Sequence, residues 1–174
     1  GERPPQQQDP PGRTSAMRPR PLDSMSDYVG SGLLVGRKAL ITGGDSGIGR
    51  AVAVAFAKEG ADVAIGYLSE HDDAHETERL VKESGRRCVL LPGDLSDEGH
   101  CRAMASLALS DLGGIDLLVN NLATQQPQAR FEHITPEQCL RTLDVNIHTY
   151  FFMTRAVLPR LERGASIINT ASIN

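Results

Sequence analysis

The sequence predicts an α/β fold built on a doubly wound parallel sheet of about five strands, and three observations predict it. From Arg37 onward, short apolar runs alternate with longer segments of helical spacing. The runs are continuously apolar, as strands covered on both faces must be. The first run ends in a glycine-rich turn that opens a helix, and right-handed crossovers then carry the chain to both faces of the sheet.

The elements follow in order. Residues 1–35 read as an extended arm, because Pro4, Pro5, Pro10, Pro11, Pro19 and Pro21 stand there with Gln6, Gln7 and Gln8 and little apolar periodicity. Such a stretch buries too little to offset its ordering entropy alone. The run Tyr28–Leu34 reads as the point where it docks on a domain of residues 36–174. The first strand is Lys38–Thr42; the helix after it spans Arg50–Glu59 and stops at Gly60. Ala61–Tyr67, Arg87–Leu91, Ile115–Asn120 and Ala165–Thr170 are the next four strands. A charged helix covers Asp72–Ser84, and another, opened by the Ser96-Asp97-Glu98 cap, runs to Leu112 before Gly113-Gly114. Thr135 as cap and Pro136 at the first helical position open a long helix that should continue to about Leu161.

Composition excludes several classes. The 174 residues carry a net charge of −4, with Lys+Arg 18 against Asp+Glu 22 and no basic block, which argues against nucleic acid or a membrane surface as partner. No run of ~18 apolar residues spans a bilayer and the N-terminal stretch is no secretory signal, so a cytoplasmic setting is expected. Cys88, Cys101 and Cys139 are scattered and read as small buried or half-buried thiols. His71 and His75 lie four apart beside acids, but with no third ligand they read as a solvated helix face; no metal is expected. Arg86-Arg87 read as solvated, and Tyr150–Met153 as core against the sheet.

The most informative segment is Thr42-Gly43-Gly44-Asp45-Ser46-Gly47-Ile48-Gly49, which leaves a strand and enters a helix. In that context Gly43 permits the tight turn, Gly47 lets the backbone approach a pyrophosphate and Gly49 allows close helix packing. Free N–H groups and the helix dipole then face the phosphates. This turn, followed by Gly93-Asp94-Leu95, Leu118-Val119-Asn120-Asn121, Asp144-Val145-Asn146 and Ile168-Asn169-Thr170-Ala171-Ser172, resembles the classical short-chain dehydrogenases/reductases in order and spacing from residue 37 to 174. It is most similar to a bacterial subgroup with a Pro/Gln-rich N-terminal arm that includes general-stress proteins and aldehyde or alcohol oxidoreductases.

The resemblance implies a Rossmann fold and an NAD(P)(H)-dependent oxidoreductase that interconverts an alcohol and a carbonyl compound by hydride transfer. It implies that Asp45, Ser46 and Ile48 join the three glycines at the cofactor, that Asp94 bonds the adenine amine, and that Leu95 packs beside the ring. Asn120 and Ala123 fall near the nicotinamide ribose, Asn146 on the water of the proton relay, and Ser172 on the substrate oxygen. Leu122 departs from the family pattern, which has a small residue there. At the end of the second strand, where an acid favours NAD(H), stands Tyr67, with Ser69 near and Glu70 later; NADP(H) is therefore favoured and NAD(H) possible.

The family's acid is a Tyr with a Lys one helical turn later. Here Tyr28 is followed at that spacing by Gly32, Tyr67 by His71 and Tyr150 by Thr154. The family places that Tyr about a dozen residues beyond Ser172, so the sequence reads as truncated before its catalytic Tyr/Lys segment and C-terminal strands and helices. The 174-residue chain alone is then expected to show little or no dehydrogenase activity, and the complete protein to be a homo-oligomer, a tetramer. Two alternatives stand beside this reading: a non-catalytic dinucleotide-binding module and an inactive truncated gene product.

Overall fold

The computed structural model describes residues 8 and 12–172; Pro4, Pro5, Gln6, Gln7, Pro10 and Pro11 of the expected arm lie outside the described residues. Five parallel strands form one sheet: β1 (Lys38–Thr42), β2 (Asp62–Tyr67), β3 (Cys88–Pro92), β4 (Leu117–Asn120) and β5 (Ser166–Asn169), in the order β3-β2-β1-β4-β5. Registers such as Leu40 against Ala64 and Leu118 keep successive strand ends level. Strand alternation sends Leu40, Ala64 and Leu118 to one face, where Met104, Ala108, Met153 and Val157 cover them. Ile41, Val63, Ile65 and Val119 face the other layer, under Ala53, Ala57, Ala74 and Val81. Each fully buried Leu, Ile or Val contributes roughly 1.5–3 kcal/mol.

The helices are α1 (Gly47–Lys58), α2 (His71–Glu83), α3 (Glu98–Leu112), α4 (Pro136–Leu143) and α5 (Thr149–Val157). Their ends follow local chemistry. Asp97 accepts the His100 N–H at 2.9 Å at the start of α3, and Gly113 closes that helix in the left-handed region. Thr135 and Gln138 form a reciprocal capping box at α4. Ser46 precedes α1 without a side-chain cap; Asp23, from the N-terminal segment, accepts the Gly47 N–H at 3.0 Å instead. No helix among the described residues is long and apolar enough to cross a membrane.

Four expectations are corrected. The long helix from Pro136 is interrupted: a π turn at Asp144–His148 separates α4 from α5, and a 3-10 turn at Leu158–Arg160 ends it early. The extra residue of the π turn lets Asn146 reach Thr124, and Pro159, lacking an N–H, cannot continue an α-helical ladder. Arg86 and Arg87 are not merely solvated, since both pair with Asp62 at 2.6 and 2.8 Å. Cys139 is exposed on α4, whereas Cys101 is buried and Cys88 half-buried. The aromatic run on α5 is divided, with Met153 buried and Phe151 60% exposed.

The segment before β1 is fastened at the C-terminal end of α1. Glu59 accepts the Tyr28 hydroxyl and the N–H groups of Ser31 and Leu33, at 3.0 and 2.8 Å for the latter two. Lys58 donates to the Met25 and Tyr28 carbonyls at 2.6 and 2.8 Å. These bonds hold the Glu59 carboxyl down at about 2, the Tyr28 hydroxyl contributing most.

Candidate functional site

A cavity of about 560 Å³ opens at the C-terminal edge of the sheet. It lies where β1 has β2 on one side and β4 on the other, the switch point at which open α/β sheets bind ligands. Its size falls within the range of about 300–1,000 Å³ typical of cofactor sites. The turn after β1 supplies Gly43, Asp45, Ser46 and Ile48 to the wall. Asp94 and Leu95 come from the end of β3, and Ala123 from the end of β4.

The glycine turn is held by close packing and by one buried cation. A Cβ added to Gly49 would stand 1.8 Å from the Gly43 carbonyl oxygen, so only glycine lets α1 sit this close to the turn. Gly47, at φ +53, is itself outside the cavity lining and turns its N–H to Asp23. Arg50 is 4% exposed and donates to the Asp45 carbonyl from Nε and Nη2 at 3.0 and 2.6 Å. It also bonds Thr77, Asp73 and Asp23, which fixes the turn from behind. The N–H groups of Ile48 and Gly49, in the first turn of α1, have no intrahelical acceptor.

Carboxylates dominate the β2 side. Asp45 is buried, and that burial pushes its carboxyl up, with the charges of Glu70 and Asp73 adding to the rise. Glu70 and Leu68 line the cavity here. Tyr67 does not: it is 3% exposed, packed in the α1/α2 layer, with its hydroxyl 2.9 Å from His71 Nδ1. Ser69 is exposed, bonds Glu70 at 2.9 Å and also stands outside the lining. Burial pushes the Asp94 carboxyl up, but bonds from Ser96 and Arg141 outweigh it and hold it below the usual range. Arg141, on α4, was not visible as a site residue in the sequence; it lines the cavity and donates to Ser96 Oγ at 2.7 Å.

The β4 side is a braced loop. Thr42 Oγ1 accepts the N–H groups of Asn121 and Leu122 at 3.0 and 3.2 Å, which places the Leu122 bulk on the cavity wall. Asn120 is fully buried and ties β4 to β5 through Asn169 at 2.9 Å; its side chain is a strut outside the lining. Asn146 grips both backbone groups of Thr124, accepting at 2.8 Å and donating at 2.9 Å. Ser172 is exposed beyond β5 and outside the lining, while Thr170, two residues before it, lies on the wall. No cluster of metal-ligating side chains occurs among the described residues.

Comparison with known proteins agrees with this architecture. A family model described as enoyl-(acyl carrier protein) reductase matches residues 43–174. General stress protein 39 of Bacillus subtilis is 48% identical over 164 residues, covering 94% of this chain and 57% of that protein. A short chain dehydrogenase from Burkholderia cenocepacia, solved in complex with NADP, superposes with a TM-score of 0.78 at 32% identity, over 80% of this chain and 57% of that one. Carveol dehydrogenase from Mycobacterium avium, in complex with NAD, superposes with a TM-score of 0.76 at 27% identity, over 82% of this chain and 57% of that one. The chain spans about six tenths of the length of the curated relatives it matches. With a family model matched over residues 43–174 and the parallel sheet superposing on solved short-chain dehydrogenases, the chain belongs to the short-chain dehydrogenase/reductase family.

Proposed function

We propose that the chain, as a Rossmann domain of residues 36–174 with an arm of residues 1–35, holds a nicotinamide dinucleotide for an oxidoreductase that interconverts an alcohol with an aldehyde or ketone. The observation that carries this reading is the cavity at the switch point, walled by a glycine turn whose Ile48 and Gly49 N–H groups lack intrahelical acceptors. The residues present fit the group. A Cβ on Gly93, which lines the cavity, meets nothing within 4 Å, so the backbone there is open to a ligand. When bound, the nicotinamide supplies or accepts the hydride.

The chain's own residues bind and orient. Ser46 and the Ile48 and Gly49 N–H groups hold phosphate, Asp94 and Leu95 the base, and Ala123 and Thr170 border the opposite end. Asn146 holds the Thr124 backbone and so the loop that flanks that end. Ser172 bonds the substrate oxygen in this reading. None of the three tyrosines lines the cavity, Tyr28 bonding Glu59, Tyr67 His71 and Tyr150 the Thr170 carbonyl, so the proton donor of this reading is not among them. Assembly as a homo-oligomer, a tetramer, fits the exposed Ile147, Phe151 and Leu158 along α5 and its flanks.

NADP(H) is favoured because no acid projects from the Tyr67 position. The carboxylates of Asp45 and Glu70 on the same wall support NAD(H) as a second reading, since either can accept a ribose 2′-hydroxyl. Titration of NADPH and NADH into the 174-residue chain, followed by nucleotide fluorescence, tests the proposal. Saturable binding is expected, weakened about tenfold in Gly93→Val at unchanged Tm. Absence of binding to the parent chain, or equal binding by the variant, overturns it.

A further inference from the structure

The N-terminal segment does more than dock. From its fastening at Glu59 it passes the N-terminus of α1, where Asp23 is 7% exposed and accepts from Gly47 N–H and Arg50 Nη1 at 3.0 and 3.3 Å. It then reaches the first turn of α2, where the Thr14 N–H donates to Asp73 Oδ2 at 3.0 Å. Asp23 and Asp73 thus share the buried Arg50, and the segment is fixed to the same cation that holds the glycine turn. A largely buried ion pair of this kind is costly to break from one side only. Beyond Thr14, Gln8 and Gly12 stand on the wall of the cavity itself. Gln8 is clasped there by two bonds to the Arg13 backbone, at 2.7 and 3.1 Å.

The Asp73 and Arg50 contacts put the segment on the α1/α2 side, where Arg50 also holds the Asp45 carbonyl, whereas Ala123 and Thr170 follow β4 and β5 on the other side of β1. We propose that the arm is a working wall of the nucleotide site: Gln8 and Gly12 border the ribose of the adenosine half beside Glu70, and this border helps set which dinucleotide is held. The proposal rests on the dinucleotide reading above. Among the described residues, the wall from the β1 turn, the β2 end and the arm offers a ribose two carboxylates, Asp45 and Glu70, and no cation. Gly12 is the position from which a cation can be supplied. Among the described residues, the nearest atoms to a Cβ there belong to Gln8, at 3.6–3.8 Å, which is ordinary contact. Arg at this site faces a 2′-phosphate across the wall, a charge-assisted bond worth about tenfold in affinity.

The test is calorimetric titration of NADPH and NADH into the parent chain, Gly12→Arg, Gly12→Lys and Gly12→Ala. A rise of about tenfold in the NADPH-to-NADH affinity ratio is expected for Gly12→Arg, smaller for Gly12→Lys, and shrinking with added salt as a surface charge pair should. Gly12→Ala is expected to keep the parent ratio within twofold. A chain lacking residues 1–12, which retains Asp23 and the Glu59 fastening, is expected to lose affinity for both dinucleotides together at unchanged Tm. A parent that binds both dinucleotides while Gly12→Arg and Gly12→Lys leave the ratio untouched overturns the arm as a wall and spares the dinucleotide reading. A parent that binds neither overturns both.

Discussion

Gly49→Ala sets two opposed effects against each other at one atom. Inside a helix, alanine is intrinsically favoured over glycine by about 1 kcal/mol, so propensity alone predicts a more stable protein. The new Cβ, however, would lie 1.8 Å from the Gly43 carbonyl oxygen, 2.7 Å from its carbon and 2.8 Å from Asn121 Nδ2. The first two are backbone atoms of a turn that Arg50 and the Gly66 carbonyl already pin. Relief to 3 Å takes a retreat of α1 by about 1.2 Å, and overpacking of that kind costs typically 1–3 kcal/mol. Packing therefore wins. For a chain of this size the loss corresponds to a fall of roughly 2–12 °C in Tm. Urea unfolding followed by far-UV circular dichroism measures it, with an unchanged m value showing that only stability has moved. Gly93→Ala, whose Cβ meets nothing, is the matched control and should stay within about 0.5 kcal/mol of the parent. A Gly49→Ala chain as stable as the parent, or more stable, refutes the claim that this glycine sets the distance between helix and turn.

Three further outcomes are expected. Thr42→Val removes the shared acceptor of the Asn121 and Leu122 N–H groups and should cost about 2–4 kcal/mol in urea unfolding, with Thr42→Ser recovering most of it; a loss below about 1 kcal/mol contradicts the role. Glu59, with its carboxyl held near 2 rather than 4.5, contributes fully to arm docking above pH 4.5 and loses that contribution as the pH falls toward 2. Protection of the Ser31 and Leu33 amides, taken relative to their intrinsic exchange rates at each pH, should therefore fall at pH 3 relative to pH 6, and Glu59→Gln should abolish the difference. Among the thiols, Cys139 is exposed while burial pushes Cys88 and Cys101 up to about 12, so a thiol reagent at pH 8 should label one site rapidly and the other two only after unfolding.

What the sequence discloses is what neighbouring residues decide among themselves. The glycine turn, the Asp97 cap and the Thr135–Gln138 box involve partners within a few positions, so their chemistry shows in the order of residues. The features that shape the cavity join distant segments: Asp23 and Gly47 are 24 residues apart, Asn146 and Thr124 are 22, Arg141 and Asp94 are 47. None of these pairs leaves a local pattern. The π turn belongs with them, because the reason for its extra residue is Thr124, on a loop that helical periodicity does not register. Motif position alone singled out Asn146; what its amide does mechanically had to come from the fold.

Tyr67 is a different case, since strand parity already carried the answer. Side chains alternate along β2, and Val63 and Ile65 face the α1/α2 layer while Ala64 faces the other. Tyr67 shares the parity of Val63 and Ile65, so its ring must enter that layer, where it is buried and meets His71. The residues that escape this parity are those past the last rung of the ladder, where the backbone turns toward α2: Leu68 and Glu70. The acid that comes late along the chain is thus the one that reaches the wall, and it lines the cavity together with Asp45, Gln8 and Gly12. If the arm is a wall of the nucleotide site as proposed, nucleotide choice depends on this acidic rim together with the arm, more than on the side chain that ends the strand.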